Sequence, residues 1–393
     1  MYRKITDSVF WVGAQDWDRR LFDELIPLPQ GTSYNSYLVR GANKTALIDT
    51  VDPPKFPELV ANLRALGVEK IDYLVANHAE QDHSGSIPLV LERCPNVKVV
   101  TNAKCRDFLK DHLHLMTEHF HAVAEGDTVD LGGLTLEFIM APWVHWPETQ
   151  FTWLRESKTL FSCDFLGSHL ATSELFSNRD EVLPGAKRYY AEIMMPFRTS
   201  VAKHLERLAR MDLEFICPSH GPVHKKPFFI LDAYRDWSSD KVKNEVVLPW
   251  VSMHGSTEAM ARHLTDALIK RGISVKPFKL TSTDLGELAS ALVDAATVVL
   301  GTSTALVGPH PQGLYASALV GALRPKTRFL SLIGSYGWST KAPEMVQALL
   351  GNLKAEMLEP VYIKGAPREK DFEALDRLAD AILSKHRELG IAN

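Results

Sequence analysis

The 393-residue sequence predicts an α/β protein in two parts: an αββα sandwich of two facing sheets, then a doubly wound parallel sheet. Three observations carry this. Up to about residue 240, short β-prone runs come in two blocks interleaved with helical patterns. From Val246 onward, apolar strands alternate with helices, the pattern of a parallel sheet. The length also exceeds what one ordinary core fills. Periodicity lapses around Ser238-Ser239-Asp240, so residues 1–242 and 243–393 are expected as the two domains.

The first part opens as a meander: Val9 to Val12, Ser33 to Val39, and Ala46 to Asp49. A helix with Leu59, Leu63 and Leu66 at helical spacing follows and stops at Gly67. Ile71 to Ala76 reads as a buried strand opening into a polar loop, with a helix expected from Ile87-Pro88. A strand at Val97 to Val100, a helix from Ala103 to Leu113, and strands at Leu134 to Met140, Phe151 to Leu154 and Thr159 to Ser162 come next. Tyr189 to Met211 reads as one long amphipathic helix, and Leu213 to Cys217 as the last strand of this part. In the second part, Val246 to Val251, Thr297 to Gly301 and Phe329 to Gly334 are apolar strands, and Asp371 to Leu389 is an amphipathic closing helix.

Composition excludes several function classes. The sequence is 45% hydrophobic and 23% charged with a formal net charge of -4, so no bulk electrostatics favour nucleic acid. No apolar run is long enough to span a bilayer, and Met1-Tyr2-Arg3-Lys4 runs straight into polar residues, unlike a signal peptide. Cys94, Cys105, Cys163 and Cys217 contain no C-x-x-C pair, which argues against a disulfide framework or a rubredoxin-type iron site. A cytoplasmic location is therefore expected, without membrane or nucleic-acid partners.

The chemistry concentrates in Asn77 to Ser86, N-H-A-E-Q-D-H-S-G-S, where His78, Glu80, Asp82 and His83 fall within six residues. Extended backbone would place His78, Glu80 and Asp82 on one side, and Gly85 would allow a tight turn bringing His83 back. Such a loop is most often plain polar surface, but two imidazoles and two carboxylates straight after a buried strand point to a metal site. Mixed imidazole and carboxylate without thiolate suits iron, manganese or zinc. His145, Asp164 and His220 each follow a strand end as well. Singly each reads as an ordinary loop residue; together they complete seven ligands, the inventory of a two-metal centre with one bridging carboxylate.

In the second part, Ser252, Met253, His254, Gly255, Ser256 and Thr257 form a hydroxyl-rich loop before a helix, a phosphate cradle that needs no lysine. It carries neither G-K-[ST] nor G-x-G-x-x-G, and a plain helix cap is the bland alternative. Ser335-Tyr336-Gly337-Trp338 follows the third strand, and its two aromatic rings could stack on a planar ring or sit in the core.

H-A-E-Q-D-H, His145, Asp164 and His220, then S-M-H-G-S-T and G-S-Y-G-W, together resemble the flavodiiron proteins over essentially the whole chain. The resemblance implies a metallo-β-lactamase-like domain followed by a flavodoxin-like one. Zinc hydrolases of the first fold usually carry His where this chain has Glu80. It implies FMN and two irons: one held by His78, Glu80 and His145, the other by Asp82, His83 and His220, with Asp164 bridging. It also implies a role near the irons for Tyr190, a hydrogen-bond donor or a packed helix residue. The flavin loops include Thr302, Ser303, Thr304 and Gly308, but relatives often read T-P-T-x-N-N-G there, and this chain has Leu306 and Val307 in place of the two Asn. The third loop continues as Ser339-Thr340-Lys341 rather than into more glycines.

The activity implied is reduction of dioxygen to water, of nitric oxide to nitrous oxide, or both. Electrons would come from a separate donor such as rubredoxin or a deazaflavin. A head-to-tail homodimer, or a tetramer built from it, is the implied assembly. Two rival readings follow from the residues. One is a binuclear zinc hydrolase with an accessory flavodoxin-like domain; the other is an electron carrier or redox sensor with a structural metal.

Overall fold

The apolar runs of the first 240 residues become two sheets. A computed structural model describes residues 1–393, which divide into two compact units, Met1–Ser238 and Ser239–Asn393. In the first unit, one sheet runs in the order Arg3–Lys4, Val9–Trp11, Tyr37–Arg40, Thr45–Ile48, Tyr73–Val75, Lys98–Asn102, Phe120–Val123. The other runs Thr128–Asp130, Thr135–Met140, Gln150–Leu154, Thr159–Cys163, Phe215–Pro218, His224–Lys225. Val39, Ile48 and Val75 meet Phe138, Phe161 and Cys217 in the core between them. A second core backs the first sheet with Leu59, Val90 and Leu109 from helices Phe56–Ala65, Ile87–Arg93 and Ala103–Leu113. Asn102 caps the last of these by accepting the Cys105 amide hydrogen.

Three expectations change. Ser33 to Val39 is not one strand: Thr32–Tyr34 pairs with Ala14–Asp16, and Tyr37–Arg40 joins the large sheet. The break serves Asn35, whose amide donates to the carbonyls of Pro218 (2.8 Å) and Gly221 (2.7 Å) and so anchors the loop bearing His220. The single helix from Tyr189 to Met211 is instead helix Arg179–Tyr189, a wide turn Tyr190–Met194, a tight turn Met195–Phe197, and helix Arg198–Leu208. Pro196 lacks an amide hydrogen and breaks the ladder, while Pro184 and Gly185 conceal the earlier helix in the sequence. Leu213 to Cys217 is also not the last strand, because His224–Lys225 pairs with it on the far side.

The second unit is a parallel sheet in the order Ser274–Lys279, Lys243–Val251, Ala295–Ala305, Phe329–Tyr336, with Glu356–Met357 and Val361–Lys364 both paired to the last. Helix Ser256–Lys270 packs Leu264 and Leu268 against it, and Glu369–Glu388 packs Leu375, Leu378 and Ile382 in the same core. The strands at its two edges escape a sequence reading: Ser274–Lys279 is half-exposed with Lys276, Pro277 and Lys279, and Val361–Lys364 has only four residues. No helix of either unit is long and apolar enough to cross a membrane.

Candidate functional site

Strand Tyr73–Val75 delivers the chain to Asn77, which Asp49 grips twice, accepting its backbone amide at 2.8 Å and its side-chain amide at 2.9 Å. His78 to Glu80 then leaves the sheet in a fixed direction. The expected alternation fails at the next residue, because Gln81–Ser84 forms a helical turn. His78 and Glu80 therefore face one point, and Asp82 and His83 another. Gly85 is helical, φ -60°, so it makes no left-handed turn. Its need is space: a Cβ there would lie 2.4 Å from the Gln81 carbonyl oxygen.

The remaining three residues arrive from strand ends of the second sheet. His145 follows Thr135–Met140, Asp164 follows Thr159–Cys163, and His220 follows Phe215–Pro218. The result is two adjoining sets, His78/Glu80/His145/Asp164 and Asp82/His83/His220, with the ligand atoms of each within 4.8 Å of one another. Glu80 Oε2 lies 3.0 Å from His78 Nε2 and 3.1 Å from His145 Nε2. Asp82 lies 3.3 Å from His83 Nε2 and 3.2 Å from His220 Nε2. Asp164 joins the sets: its Oδ2 faces His78 (3.5 Å) and His145 (3.4 Å), its Oδ1 faces His83 (3.0 Å) and His220 (3.4 Å). One carboxylate with an oxygen toward each set is the geometry of a bridge.

The imidazoles are held from behind. His78 Nδ1 meets Glu148 Oε1 at 2.6 Å, and His220 Nδ1 donates to the Ser33 carbonyl at 2.7 Å. Those contacts place Nδ1–H outward and leave each Nε2 lone pair for the centre. Burial opposes charge on Glu80 and Asp164, yet the surrounding imidazoles hold both carboxyls well below their ordinary range. Burial likewise opposes protonation of His145 and His220, but Asp164 with Glu80 lifts the first to about 9, and Asp164 with Asp82 lifts the second to about 10. Protons shared between imidazoles and carboxylates are those a bound metal displaces. Cys163 lies beside His83 and Asp164, but burial raises its thiol far above the range of a thiolate ligand.

Of the two readings of Tyr190, hydrogen-bond donor or packed helix residue, its ring contacts fit the second, and the neighbouring Tyr189 is the one that meets Asp164. Tyr189 Oη donates to Asp164 Oδ1 at 3.0 Å, whereas the Tyr190 ring packs on Tyr234 and Trp237, with centroids 5.3 and 5.6 Å away. Tyr189 ends helix Arg179–Tyr189 and Tyr190 opens the wide turn, so the two rings leave the backbone in different directions. Glu148 and His169 were also missed. His169 Nδ1 meets Thr32 Oγ1 at 2.9 Å and its ring lies 4.8 Å from that of His220. A carboxylate three residues after His145, in W-P-E-T, was the available signal for Glu148.

In the second unit, Ser252, Met253, His254, Ser256, Ser303, Thr304, Ser335, Tyr336 and Gly337 line a cleft of about 220 Å³ at the carboxyl ends of the strands. Gly365 and Ala366 complete it; their strand was unread, so they were missed. The other expected residues stand apart from its wall. Gly255 turns the chain at φ 86°, and Thr257 is buried with Oγ1 3.5 Å from Ser335 Oγ. Thr302 Oγ1 accepts the His310 amide, and Gly308 pairs with Ala305 across a hairpin. Trp338 is 75% exposed and Tyr336 stacks on Tyr362, centroids 6.3 Å apart. Leu306 and Val307 form the hairpin tip at φ 49° and 74°. Small hydroxyl-bearing walls beside a helix N-terminus fit a phosphorylated ligand such as FMN.

Comparison with known proteins agrees with both units. Residues 32–221 match the family model described as ODP family beta lactamase, and residues 250–375 match flavodoxin. A nitric oxide reductase of Moorella thermoacetica is 36% identical over 397 residues, covering 97% of this chain and 98% of that protein. The solved rubredoxin oxygen:oxidoreductase of Desulfovibrio gigas is 32% identical, covers 99% of both chains and superposes with a TM-score of 0.95. The crystal structure of the flavodiiron protein of Giardia intestinalis is 28% identical, covers 98% of both chains and gives a TM-score of 0.89.

Proposed function

Since this chain belongs to the flavodiiron family, oxidoreductases that use FMN and a diiron centre to reduce dioxygen, nitric oxide or both, we propose how its own residues divide that task. Residues 1–242 are the diiron domain and residues 243–393 the FMN domain. His78, Glu80 and His145 hold one iron, Asp82, His83 and His220 the other, and Asp164 bridges. The carrying observation is Asp164, which turns one oxygen to each set. None of the compared relatives favours the zinc hydrolase or the passive electron carrier.

When bound, the irons supply electrons and open coordination positions for a small gas, and the flavin supplies electrons one at a time. The chain's own part is to orient, exclude water and hold protons. Carboxylates Glu80, Asp82 and Asp164 offset the positive charge that grows on oxidation. Tyr189, its hydroxyl pushed up by burial and then by Asp164, stays protonated and keeps a hydrogen at Oη for Asp164. Ser252 and Ser256 offer hydroxyls to the flavin phosphate at the start of helix Ser256–Lys270.

The donor is a separate carrier, rubredoxin or a reduced deazaflavin; the name of the Desulfovibrio gigas relative supports the former. The protein works in the cytoplasm, a reading supported by four free cysteines. It assembles as a head-to-tail homodimer, or a tetramer built from it, in which each FMN faces the partner's irons. Anaerobic stopped-flow mixing of fully reduced protein with each gas tests the activity. Fast reoxidation by at least one is expected, and stoichiometric zinc with hydrolysis would defeat the reading. For the assembly, Asp82→Ala with His220→Ala and a flavin-free phosphate-loop variant are refolded together. Mixed dimers should restore roughly a quarter of wild-type activity; dead mixed dimers would mean another arrangement.

A further inference from the structure

Behind the two metal sets the protein is not symmetric. In the second, His220 leans on a neutral group, the Ser33 carbonyl at 2.7 Å. In the first, His78 leans on the carboxylate of Glu148 at 2.6 Å. Glu148 is fully buried, so water does not screen it. Its Oε1 also accepts the Ala79 amide at 3.1 Å, and Asn102 Nδ2 donates to its backbone carbonyl at 2.7 Å. Trp146 stands edge-on to the His78 ring, centroids 4.9 Å apart and planes at 89°, and fixes the ring's tilt. Apart from the shared Asp164, each set has one carboxylate, Glu80 or Asp82. Asp49 is buried near His83, but its oxygens accept from Asn77; Glu148 is the extra carboxylate hydrogen-bonded directly to an imidazole, and it stands on one side.

We propose that Glu148 makes the two irons unequal: acting through His78, it makes the position of His78, Glu80 and His145 the one that becomes ferric first. A carboxylate accepting the Nδ1 proton draws that proton away and makes Nε2 a more basic donor. A more basic donor favours the higher metal charge, so this iron gives up its electron at the lower potential. Withdrawing one electron from the reduced pair, to ferricyanide in a titration, leaves the other iron ferrous. Glu148 is a positioning residue that touches neither gas nor metal. The inference rests on the two-iron reading above and adds an order of oxidation to it.

The test uses full-length holoprotein. Wild type, Glu148→Gln and Glu148→Asp are titrated between dithionite and ferricyanide, with the half-oxidised state followed by electron paramagnetic resonance. Gln keeps the shape and an acceptor for both N–H groups but removes the charge; Asp keeps the charge. The lower of the two midpoints should rise in Glu148→Gln and return toward wild type in Glu148→Asp, while iron content is retained at saturating iron. Identical midpoints in folded, fully loaded Glu148→Gln would overturn the proposal. Should that variant fail to fold, a half-oxidised wild-type crystal measured at several energies across the iron absorption edge decides. Ferric iron is expected at the His78 position, and ferric iron at the His220 position, or equal mixtures, would refute it. Wild type that binds no iron pair brings down the underlying reading, and this inference with it.

Discussion

The two units treat their polar side chains in opposite ways. In the first, the seven side chains proposed as ligands converge in a largely buried site, and His78 and His220 are fixed from behind by Glu148 and Ser33. In the second, hydroxyls line an open cleft, and the loops around it carry exposed apolar tips such as Leu306 and Trp338. The difference follows from what each must hold. A metal demands a fixed number of ligands at fixed distances, so the protein must stiffen every donor before the ion arrives. A flavin offers a phosphate and a wide ring, so a helix terminus and adaptable loops suffice. Preorganised chemistry belongs to the first unit and adjustable recognition to the second.

The largest expected effect breaks the first unit alone. Asp164→Ala should empty both metal positions, since it serves both, while flavin content stays at wild-type level; metal analysis and the flavin absorbance check the two together. Loss of FMN in the same variant would mean that the units do not load independently. Next, Ser256→Ala with Thr257→Ala should weaken FMN by about 3 kcal/mol, the loss of charge-assisted hydrogen bonds to phosphate. Equilibrium dialysis of the flavin reads this, with iron unchanged. Most of it should come from Ser256, which lines the cleft, and little from buried Thr257.

A smaller effect sharpens what the units share. Each buries one neutral histidine away from its cleft: His224, between Ser177 and Leu166, and His386, between Thr297 and Asn244. Burial lowers each from 6.5 to about 4. Below pH 6.5 the unfolded chain takes up protons that the folded chain refuses, so stability is full above 6.5 and falls as the pH drops toward 4. For His224 the loss at pH 5 should be about 2 kcal/mol. Urea unfolding at pH 7 and pH 5 should move the transitions of both units in the same direction, and His224→Gln should flatten only that of the first.

The smallest effect lies at the flavin loop. Leu306 and Val307 occupy left-handed positions of a two-residue hairpin, which suits Asn-Gly and strains a β-branched residue. Leu306→Asn with Val307→Gly should stabilise the second unit by about 1 kcal/mol. Thermal melting of the flavin-free protein measures that gain.

The sequence by itself determined which residues could be ligands and where the folds change. Each ligand follows an apolar β-prone run, and in α/β folds strand ends are where polar groups emerge together, so local pattern was enough. The same logic located the phosphate loop between Val251 and helix Ser256–Lys270. The family resemblance implied how these residues divide into two sets, but local pattern alone did not, and only the tertiary structure shows the physical reason. A helical turn at Gln81–Ser84 sends Asp82 and His83 to a different point from His78 and Glu80, and four residues are too few for periodicity to announce it. Tyr189 rather than Tyr190 meets Asp164 because rotation about a helix is set by what its far side packs against. Glu148 became visible as the partner of His78 only across 70 residues of chain, because a contact made by folding leaves no mark on either neighbourhood.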